Sequence, residues 1–176
     1  MNFEEKTLSS QYVFNGNVID VKRDEVQIST GRHSFREVVE HPGGVVIAAV
    51  ENDTILMVKQ YRYPLKKVSL ELPAGKLERG EDPDLAAKRE LEEETGYVAK
   101  NWVSLGYIYT SPGFCDEKLY LYLATDLEYK TQNPDEDEII EGIKYSLNEV
   151  YTLINTGKIN DSKTICAMFR AREYLK

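Results

Sequence analysis

Short apolar runs separated by turn residues dominate the first quarter of the chain. Residues 11–40 place apolar and β-branched residues at intervals, and the segment 29–33, Ser-Thr-Gly-Arg-His, carries a turn glycine. This pattern is typical of antiparallel strands. The breaker His-Pro-Gly-Gly at 41–44 then interrupts it. The sequence therefore predicts a small β-sheet sub-domain over residues 1–43, which is too small to be stable alone and needs a packing partner, such as a second subunit.

The second predicted domain, residues 44–176, mixes strands with helices. Residues 45–50, Val-Val-Ile-Ala-Ala-Val, predict a buried strand, and a second strand follows the turn at 51–53. Helices are predicted before Gly157 and after Asp161, where the aspartate can cap the last helix. Because strands are mixed with flanking helices, we expect an α+β fold in which a mixed sheet carries helices on both faces.

Residues 75–97 carry the clearest helix signals of the chain. Asp82 can cap a helix, Pro83 suits its first turn, and Gly96 can end it in a left-handed conformation. Gly75 lies in the loop before this helix, where it would let the backbone approach a ligand. The sequence therefore predicts a helix between Asp82 and Gly96 that begins next to a possible ligand site.

One face of this helix is acidic. Glu90, Glu93 and Glu94 stand at positions i, i+3 and i+4, so their side chains point the same way. Two like charges about 4 Å apart repel by about 4 kcal/mol at an effective dielectric constant of about 20, so a cation between them is expected. Carboxylate oxygens suit Mg²⁺ or Mn²⁺. The alternative interpretation is a solvated helix with surface pairs such as Arg89–Glu93.

Composition argues against several classes of partner. The 176 residues carry a net charge of −8, which disfavours nucleic acid because phosphate contacts require Lys and Arg. The sequence has no apolar run long enough for a membrane span, and its N-terminus lacks a signal-peptide pattern. The two cysteines do not suggest a disulfide framework. We therefore expect a cytoplasmic protein with no nucleic-acid or membrane partner.

The spacing across residues 75–97 is more informative than any single residue. Gly75 is followed by Glu81 and then by the run 89–97, Arg-Glu-Leu-Glu-Glu-Glu-Thr-Gly-Tyr. In these positions the chain resembles the Nudix box, with no departure from the family pattern. The resemblance implies an α/β/α sandwich for residues 44–176. It also implies a metal-dependent pyrophosphohydrolase that acts on a nucleoside diphosphate linked to another group.

Four features lie outside the box: Arg-Glu at 36–37, Gln-Tyr-Arg at 60–62, Ser-Pro-Gly at 111–113 with Glu117 beyond it, and the acidic loop 136–138. Together they resemble the ADP-ribose pyrophosphatase branch of this family over nearly the whole chain. In that branch, Arg36 and Glu37 would contact the adenine end and Arg62 would contact the pyrophosphate. A surface ion pair and an ordinary Ser-Pro-Gly turn at 111–113 are the alternative interpretations. The substrate-binding residues that the resemblance implies are Arg36, Glu37, Arg62, Lys76, Ser111, Pro112, Gly113 and Glu117.

The resemblance also implies how the site works. Mg²⁺ is the expected cofactor, with Mn²⁺ as an alternative. The general base is expected to be Glu136, in the acidic loop 132–138, with Glu117 as the competitor. Glu93 of the box is a second catalytic residue, which could bind the metal directly or through water. Glu81 and Arg89 are expected to brace the loop and the helix. The implied metal ligands are Ala74, through its carbonyl, and Glu90, Glu94 and Glu138.

The reaction that the resemblance implies is hydrolysis of ADP-ribose to AMP and ribose 5-phosphate. Two alternatives stay open. The substrate could be another nucleotide sugar, such as GDP-mannose or ADP-glucose, or the chain could be a non-catalytic module that binds nucleotides. The intact acids favour an enzyme. The family also implies a homodimer, in which residues 1–43 would form the dimerisation sub-domain.

Overall fold

Two β-sheets organise the chain, and each belongs to a separate unit. Over residues 2–131 and 139–175, which the computed structural model describes, the chain forms ten β-strands and three α-helices. The first unit consists of Met1–Gly43 and Tyr109–Lys118, and the second of Gly44–Ile108 and Leu119–Lys176.

The first unit is built on a three-stranded antiparallel sheet in the order β1-β2-β3. The strands are β1 (Lys6–Asn15), β2 (Asp20–Gln27) and β3 (His33–Glu40). All ten residues of β1, an edge strand of this sheet, are exposed. The small antiparallel sheet predicted from the sequence is confirmed, whereas its role in dimerisation stays a prediction.

The segment 109–118 is hydrogen-bonded to the end of β3. The Val39 N–H donates to the Phe114 carbonyl at 2.7 Å, and the Asp116 N–H donates to the Val39 carbonyl at 3.1 Å. The His41 N–H donates to Oδ1 of Asp116 at 2.9 Å. These bonds explain why a segment distant in sequence belongs to the N-terminal unit.

The second unit contains a seven-stranded sheet over the described residues. Its strands are β4 (Gly44–Glu51), β5 (Thr54–Arg62), β6 (Lys67–Glu71), β7 (Ala74–Lys76), β8 (Tyr97–Tyr109), β9 (Lys118–Tyr129) and β10 (Ile140–Ser146). The main path runs β10-β5-β4-β9-β8, with β6 beside β5 and β7 beside β4. Because β4 pairs parallel with β9 and antiparallel with β5 and β7, the sheet is mixed, as predicted.

Strand β4 lies at the centre of the core, and all but its last residue are buried. Alternate side chains of a strand point to opposite faces of its sheet. Val45 and Ile47 accordingly lie in one apolar cluster, while Val46 and Ala48 lie in another. Both faces of the sheet therefore need cover, which the unbroken apolar run at 45–50 predicts.

The helices supply that cover. Leu91 packs in the cluster that contains Val45, whereas Val150 and Met168 pack in the other cluster. These residues belong to three helices: α1 (Pro83–Thr95), α2 (Leu147–Asn155) and α3 (Ser162–Ala171). The predicted sandwich, with a mixed sheet between helices, is confirmed.

The helix ends are the ones that the sequence predicts. The Asp82 side chain accepts the Asp84 N–H at 2.8 Å, and Gly96 ends α1 with φ 74°. Asp161 accepts the Thr164 N–H at 3.0 Å at the start of α3. Among the described residues, no helix is long and apolar enough to cross a membrane.

Candidate active site

Strand β7 touches the acidic face of α1 through backbone atoms. A Cβ atom on Gly75 would lie 1.8 Å from the carboxyl carbon of Glu90 and about as close to its two oxygens. No side chain fits at that distance, so only glycine allows Glu90 to occupy this position. The sequence predicts a close approach to a ligand at Gly75, and the group that the structure brings there is a carboxylate of the chain itself.

Glu94 is held by the neighbouring residue of β7. The Ala74 N–H donates a hydrogen bond of 2.9 Å to Oε2 of Glu94. Glu90 and Glu94 are 9% and 3% exposed, so α1 buries two carboxylates about one turn apart. Because an unpartnered buried carboxylate is costly, such contacts fix the positions of both side chains. The role of the Ala74 carbonyl as a metal ligand stays a prediction.

Arg89 connects three carboxylates of the box. Its Nη1 donates to Glu90 and to Glu93, each at 2.8 Å. Its Nε and Nη2 donate to the two oxygens of Glu81, each at 3.0 Å. The hydrogen bond with Glu81 raises the pKa of Arg89 and lowers the pKa of Glu81. This geometry agrees with the predicted bracing role of Glu81 and Arg89, and it also contains the Arg89–Glu93 helix pair of the alternative interpretation.

The donor chemistry of this site fits a hard divalent cation. Arg89 binds Glu81, Glu90 and Glu93, whereas Glu94 accepts the Ala74 N–H, so these four carboxylates and one guanidinium carry a net charge of −3. Carboxylate oxygens are the ligands that Mg²⁺ prefers. Within residues 2–131 and 139–175, however, no three acidic, histidine or cysteine side chains are arranged to hold one metal ion. Arg89 engages part of the predicted ligand set instead.

Arg62, at the end of β5, is engaged by Glu71, at the end of β6. Its Nε and Nη2 donate to the two oxygens of Glu71 at 2.9 Å and 2.6 Å. Nζ of Lys163, in α3, also donates to Glu71, and it lies 3.0 Å from Oδ1 of Asp161. Burial alone would raise the pKa of Glu71, but the hydrogen bonds from Arg62 and the charge of Lys163 lower it to about 2.

The predicted adenine contacts lie on β3, in the first unit. Arg36 forms an ion pair with Glu5, in which Nε donates to Oε2 at 2.8 Å and Nη2 donates to Oε1. Glu37 is exposed and stands opposite Arg23 of β2 in the strand register. The surface ion pair of the alternative interpretation therefore forms between Arg36 and Glu5 and not between Arg36 and Glu37. Their role in binding adenine stays a prediction.

The predicted ribose contacts lie on the segment 109–118 of the first unit. The carbonyl of the Ser111 residue accepts two backbone N–H groups at 3.1 Å and 2.9 Å, so residues 111–113, Ser-Pro-Gly, begin a turn. Oε2 of Glu117 accepts the hydroxyl of Thr110 at 2.6 Å, and Oε1 lies 3.5 Å from Nδ1 of His41. A contact of this segment with ribose stays a prediction.

The three remaining predicted site residues are Lys76, Glu136 and Glu138, and the structure describes the first of them. Lys76 is exposed at the end of β7, and its carbonyl accepts Nη2 of Arg89 at 3.4 Å, which places it beside the box. Glu136 and Glu138, the predicted base and metal ligand, lie outside the described residues.

Sequence reasoning missed Glu71 and Lys163. Glu71 follows three residues of a strand, Val-Ser-Leu, and is only 2% exposed. The strand pattern predicts that the side chain at residue 71 is buried, and a buried charge requires a partner of opposite charge. The sequence could therefore have indicated that Glu71 forms an ion pair. The partner could not be found in the same way, because Lys163 lies 92 residues further along the chain.

Comparison with known families identifies the fold of the second unit. Residues 40–168 match the NUDIX domain. The chain belongs to the Nudix family. In addition, residues 5–39 match the N-terminal domain of nucleoside diphosphate sugar hydrolases. The family membership inferred from the box is confirmed.

Several relatives are similar to this Nudix protein over nearly its whole length. The chain is 43% identical over 170 residues to an ADP-ribose pyrophosphatase of Bacillus subtilis (strain 168), covering 95% of this chain and 92% of the relative. It is 46% identical over 169 residues to a methanol dehydrogenase activator of Bacillus methanolicus, covering 94% and 91%. The crystal structure of an ADP compounds hydrolase superposes with a TM-score of 0.88 at 23% identity, covering 99% of this chain and 96% of that structure.

The buried Glu71 carboxylate makes the stability of the Nudix domain depend on pH. Its native pKa of about 2 lies below its ordinary value of 4.5, so ionised Glu71 stabilises the fold above about pH 4.5. This contribution, about 3 kcal/mol at most, is lost as the pH falls from 4.5 towards 2. In urea titrations, the difference in unfolding free energy between the wild type and Glu71→Gln should shrink over that range. The exposed control Glu128→Gln should show no such trend, and a constant difference for Glu71→Gln would contradict the assignment.

Proposed function

We propose that this Nudix protein hydrolyses the pyrophosphate bond of ADP-ribose and releases AMP and ribose 5-phosphate. The observation that carries the proposal is the pair of buried carboxylates, Glu90 and Glu94, held against the backbone of Ala74 and Gly75. Oxygen donors of this kind suit Mg²⁺ as cofactor, with Mn²⁺ as an alternative. The choice of ADP-ribose is supported by the similarity to the Bacillus subtilis ADP-ribose pyrophosphatase.

The box residues would bind the metal ion, and Arg62 of β5 would bind the diphosphate directly. Glu90, Glu94 and the Ala74 carbonyl would hold the metal ion, together with Glu138. When bound, a divalent ion neutralises charge on the diphosphate and stabilises the leaving phosphate. Arg62 binds diphosphate oxygens with the part of its guanidinium that is not hydrogen-bonded to Glu71, since a guanidinium fork matches phosphate geometry.

The water that attacks the phosphorus must lose a proton to a base within hydrogen-bond reach. Glu93 is already engaged by Nη1 of Arg89 at 2.8 Å, and Glu90 and Glu94 would be committed to the cation. A carboxylate that binds a cation is a poor proton acceptor. We therefore assign the base to Glu136, with Glu93 and Glu117 as the competitors.

The remaining substrate-binding residues are assigned to the two ends of ADP-ribose, the adenine and the terminal ribose. Arg36 and Glu37 hold the adenine, and the turn at 111–113 with Glu117 holds the terminal ribose. Lys76, exposed beside the box, contributes a positive charge for the phosphates. Because Arg36 is bound to Glu5, binding of the adenine requires that this ion pair adapt.

We propose that the protein is a homodimer in which residues 1–43 form the interface. On the exposed edge strand β1, Tyr12, Val13 and Phe14 are each more than half exposed, and an apolar group of this kind favours burial against a partner. Sedimentation equilibrium should give twice the chain mass of 20.2 kDa. A mass of one chain at all concentrations would refute the dimer. A cytoplasmic location, with no nucleic-acid or membrane partner, stays a prediction from composition.

Hydrolysis of ADP-ribose in the presence of Mg²⁺ tests the proposed activity. Chromatography should detect AMP, and kcat/KM should be higher for ADP-ribose than for GDP-mannose or ADP-glucose. Glu94→Gln should stay folded and lose most of the activity, because it loses a metal ligand. The matched control Glu92→Gln, which pairs with Lys130 at 3.5 Å, should keep it.

Each contrary result of this assay has a definite meaning. A higher kcat/KM for another nucleotide sugar would move the substrate assignment to that compound. No turnover of any of them would favour a non-catalytic module that binds nucleotides. Activity near that of the wild type in Glu94→Gln would contradict the metal site.

Steady-state kinetics of three glutamine variants test the base. Glu136→Gln should lower kcat by about 10²–10⁴ and change KM little, since a lost general base acts on the chemical step. Glu117→Gln should act mainly through KM, because a ribose contact stabilises substrate and transition state alike. Glu93→Gln should lower kcat less than Glu136→Gln. If Glu136→Gln keeps kcat within a few-fold while another variant collapses it, the base is that other residue.

A further inference from the structure

Four charged side chains of the second unit form one hydrogen-bonded network. Glu71 accepts Nε and Nη2 of Arg62 and also Nζ of Lys163, which lies 3.0 Å from Asp161. Two positive and two negative charges therefore balance. Glu71 is almost completely buried, so its carboxylate is stable there only with both cationic partners in place.

The network is joined to the segment that holds the box carboxylates. The Leu72 N–H, directly after Glu71, donates to Oγ1 of Thr164 at 2.9 Å in a fully buried bond. Two residues further on, the Ala74 N–H donates to Glu94. The first turn of α3 thus fixes one end of a short backbone segment whose other end contacts the acids of α1.

Arg62 is held in this network but keeps one side available. Its Nε and Nη2 donate hydrogen bonds to Glu71, whereas Nη1 makes no hydrogen bond among the residues that the structure describes. The Arg62 side chain is 36% exposed, against 3% for Glu71. The hydrogen bond with Glu71 raises the pKa of Arg62, and the charge of Glu94 adds a smaller effect in the same direction.

We propose that Glu71 and Lys163 are positioning residues that hold the Arg62 guanidinium in place for the diphosphate of the substrate, an inference that rests on the proposed function. Glu71 fixes the plane of the guanidinium through two parallel hydrogen bonds. Lys163 binds the same carboxylate and is itself bound to Asp161, so it holds Glu71 in place while Nη1 of Arg62 is left to bind phosphate oxygens.

A purely structural role, in which the network only joins α3 to the sheet, makes a different prediction. A positioning residue acts through Arg62, so its removal should matter only while Arg62 is present. A structural residue should cause the same loss whether or not Arg62 is present. A double-mutant cycle separates the two cases.

The cycle uses Arg62→Ala, Glu71→Gln and the double variant, with kcat/KM for ADP-ribose as the readout. Glu71→Gln should lower kcat/KM by about 10- to 100-fold, the size of a lost charged hydrogen bond. In the Arg62→Ala background, Glu71→Gln should lower kcat/KM by less than about 2-fold, as expected for fully coupled residues. Equal losses in both backgrounds would overturn the proposal.

Lys163 provides a second cycle in case Glu71→Gln does not fold. Lys163→Met should lower kcat/KM by about 10-fold, and Lys163→Arg should restore most of it, because arginine keeps the charge. The matched control is Lys67→Met, since Lys67 pairs with Arg62 in the strand register but contacts Asn160. An effect of Lys67→Met as large as that of Lys163→Met would overturn the proposal.

Binding of inorganic pyrophosphate, measured by calorimetry with Mg²⁺, distinguishes failure of this inference from failure of the proposed function. The same coupling should appear in the dissociation constants, which require no turnover. If the coupling appears but the wild type does not hydrolyse ADP-ribose, the proposed function fails and the positioning role stands. If the wild type hydrolyses ADP-ribose and the losses are additive, the positioning role fails. Absence of both binding and turnover would overturn both.

Discussion

The contact between the backbone of β7 and two buried carboxylates of α1 determines the geometry of the whole site. Gly75 leaves the space that Glu90 fills, and the Ala74 N–H binds Glu94. Without such partners a buried carboxylate would be protonated or would move into solvent. The contact therefore sets both the position of the acids and the need for glycine at residue 75.

The charges around this contact are arranged in two neighbouring groups. In the first, Arg89 connects Glu81, Glu90 and Glu93, which leaves negative charge for a divalent cation. In the second, Glu71 is shared by Arg62 and Lys163, which leaves Arg62 partly available for an anion. The proposed binding of a diphosphate to this negatively charged chain therefore depends on a cation held by the first group and on the Arg62 guanidinium of the second.

The parts of this structure that could be predicted from the sequence are those with local causes. Asp82 and Gly96 mark the ends of α1 through capping and a left-handed turn, and the apolar run at 45–50 marks a strand buried on both faces. The acidic face of α1 follows from helical spacing. The pairing of Glu71 with Lys163 could not be predicted, because it depends on where α3 packs against the sheet and not on any local pattern. The ion pair of Arg36 with Glu5 is of the same kind, since 31 residues separate its members.

If Glu90 holds the metal ion as proposed, the space at Gly75 is essential for metal binding, and binding of Mn²⁺ measured by electron paramagnetic resonance tests this most directly. Gly75→Ala should stay folded and bind Mn²⁺ about 10- to 100-fold more weakly than the wild type, because the new methyl group displaces Glu90. Gly142→Ala is the matched control, since its Cβ would lie 3.9 Å from the Glu94 carbonyl oxygen, an ordinary contact. It should bind Mn²⁺ like the wild type. A folded Gly75→Ala protein with Mn²⁺ affinity equal to that of the wild type would contradict the account.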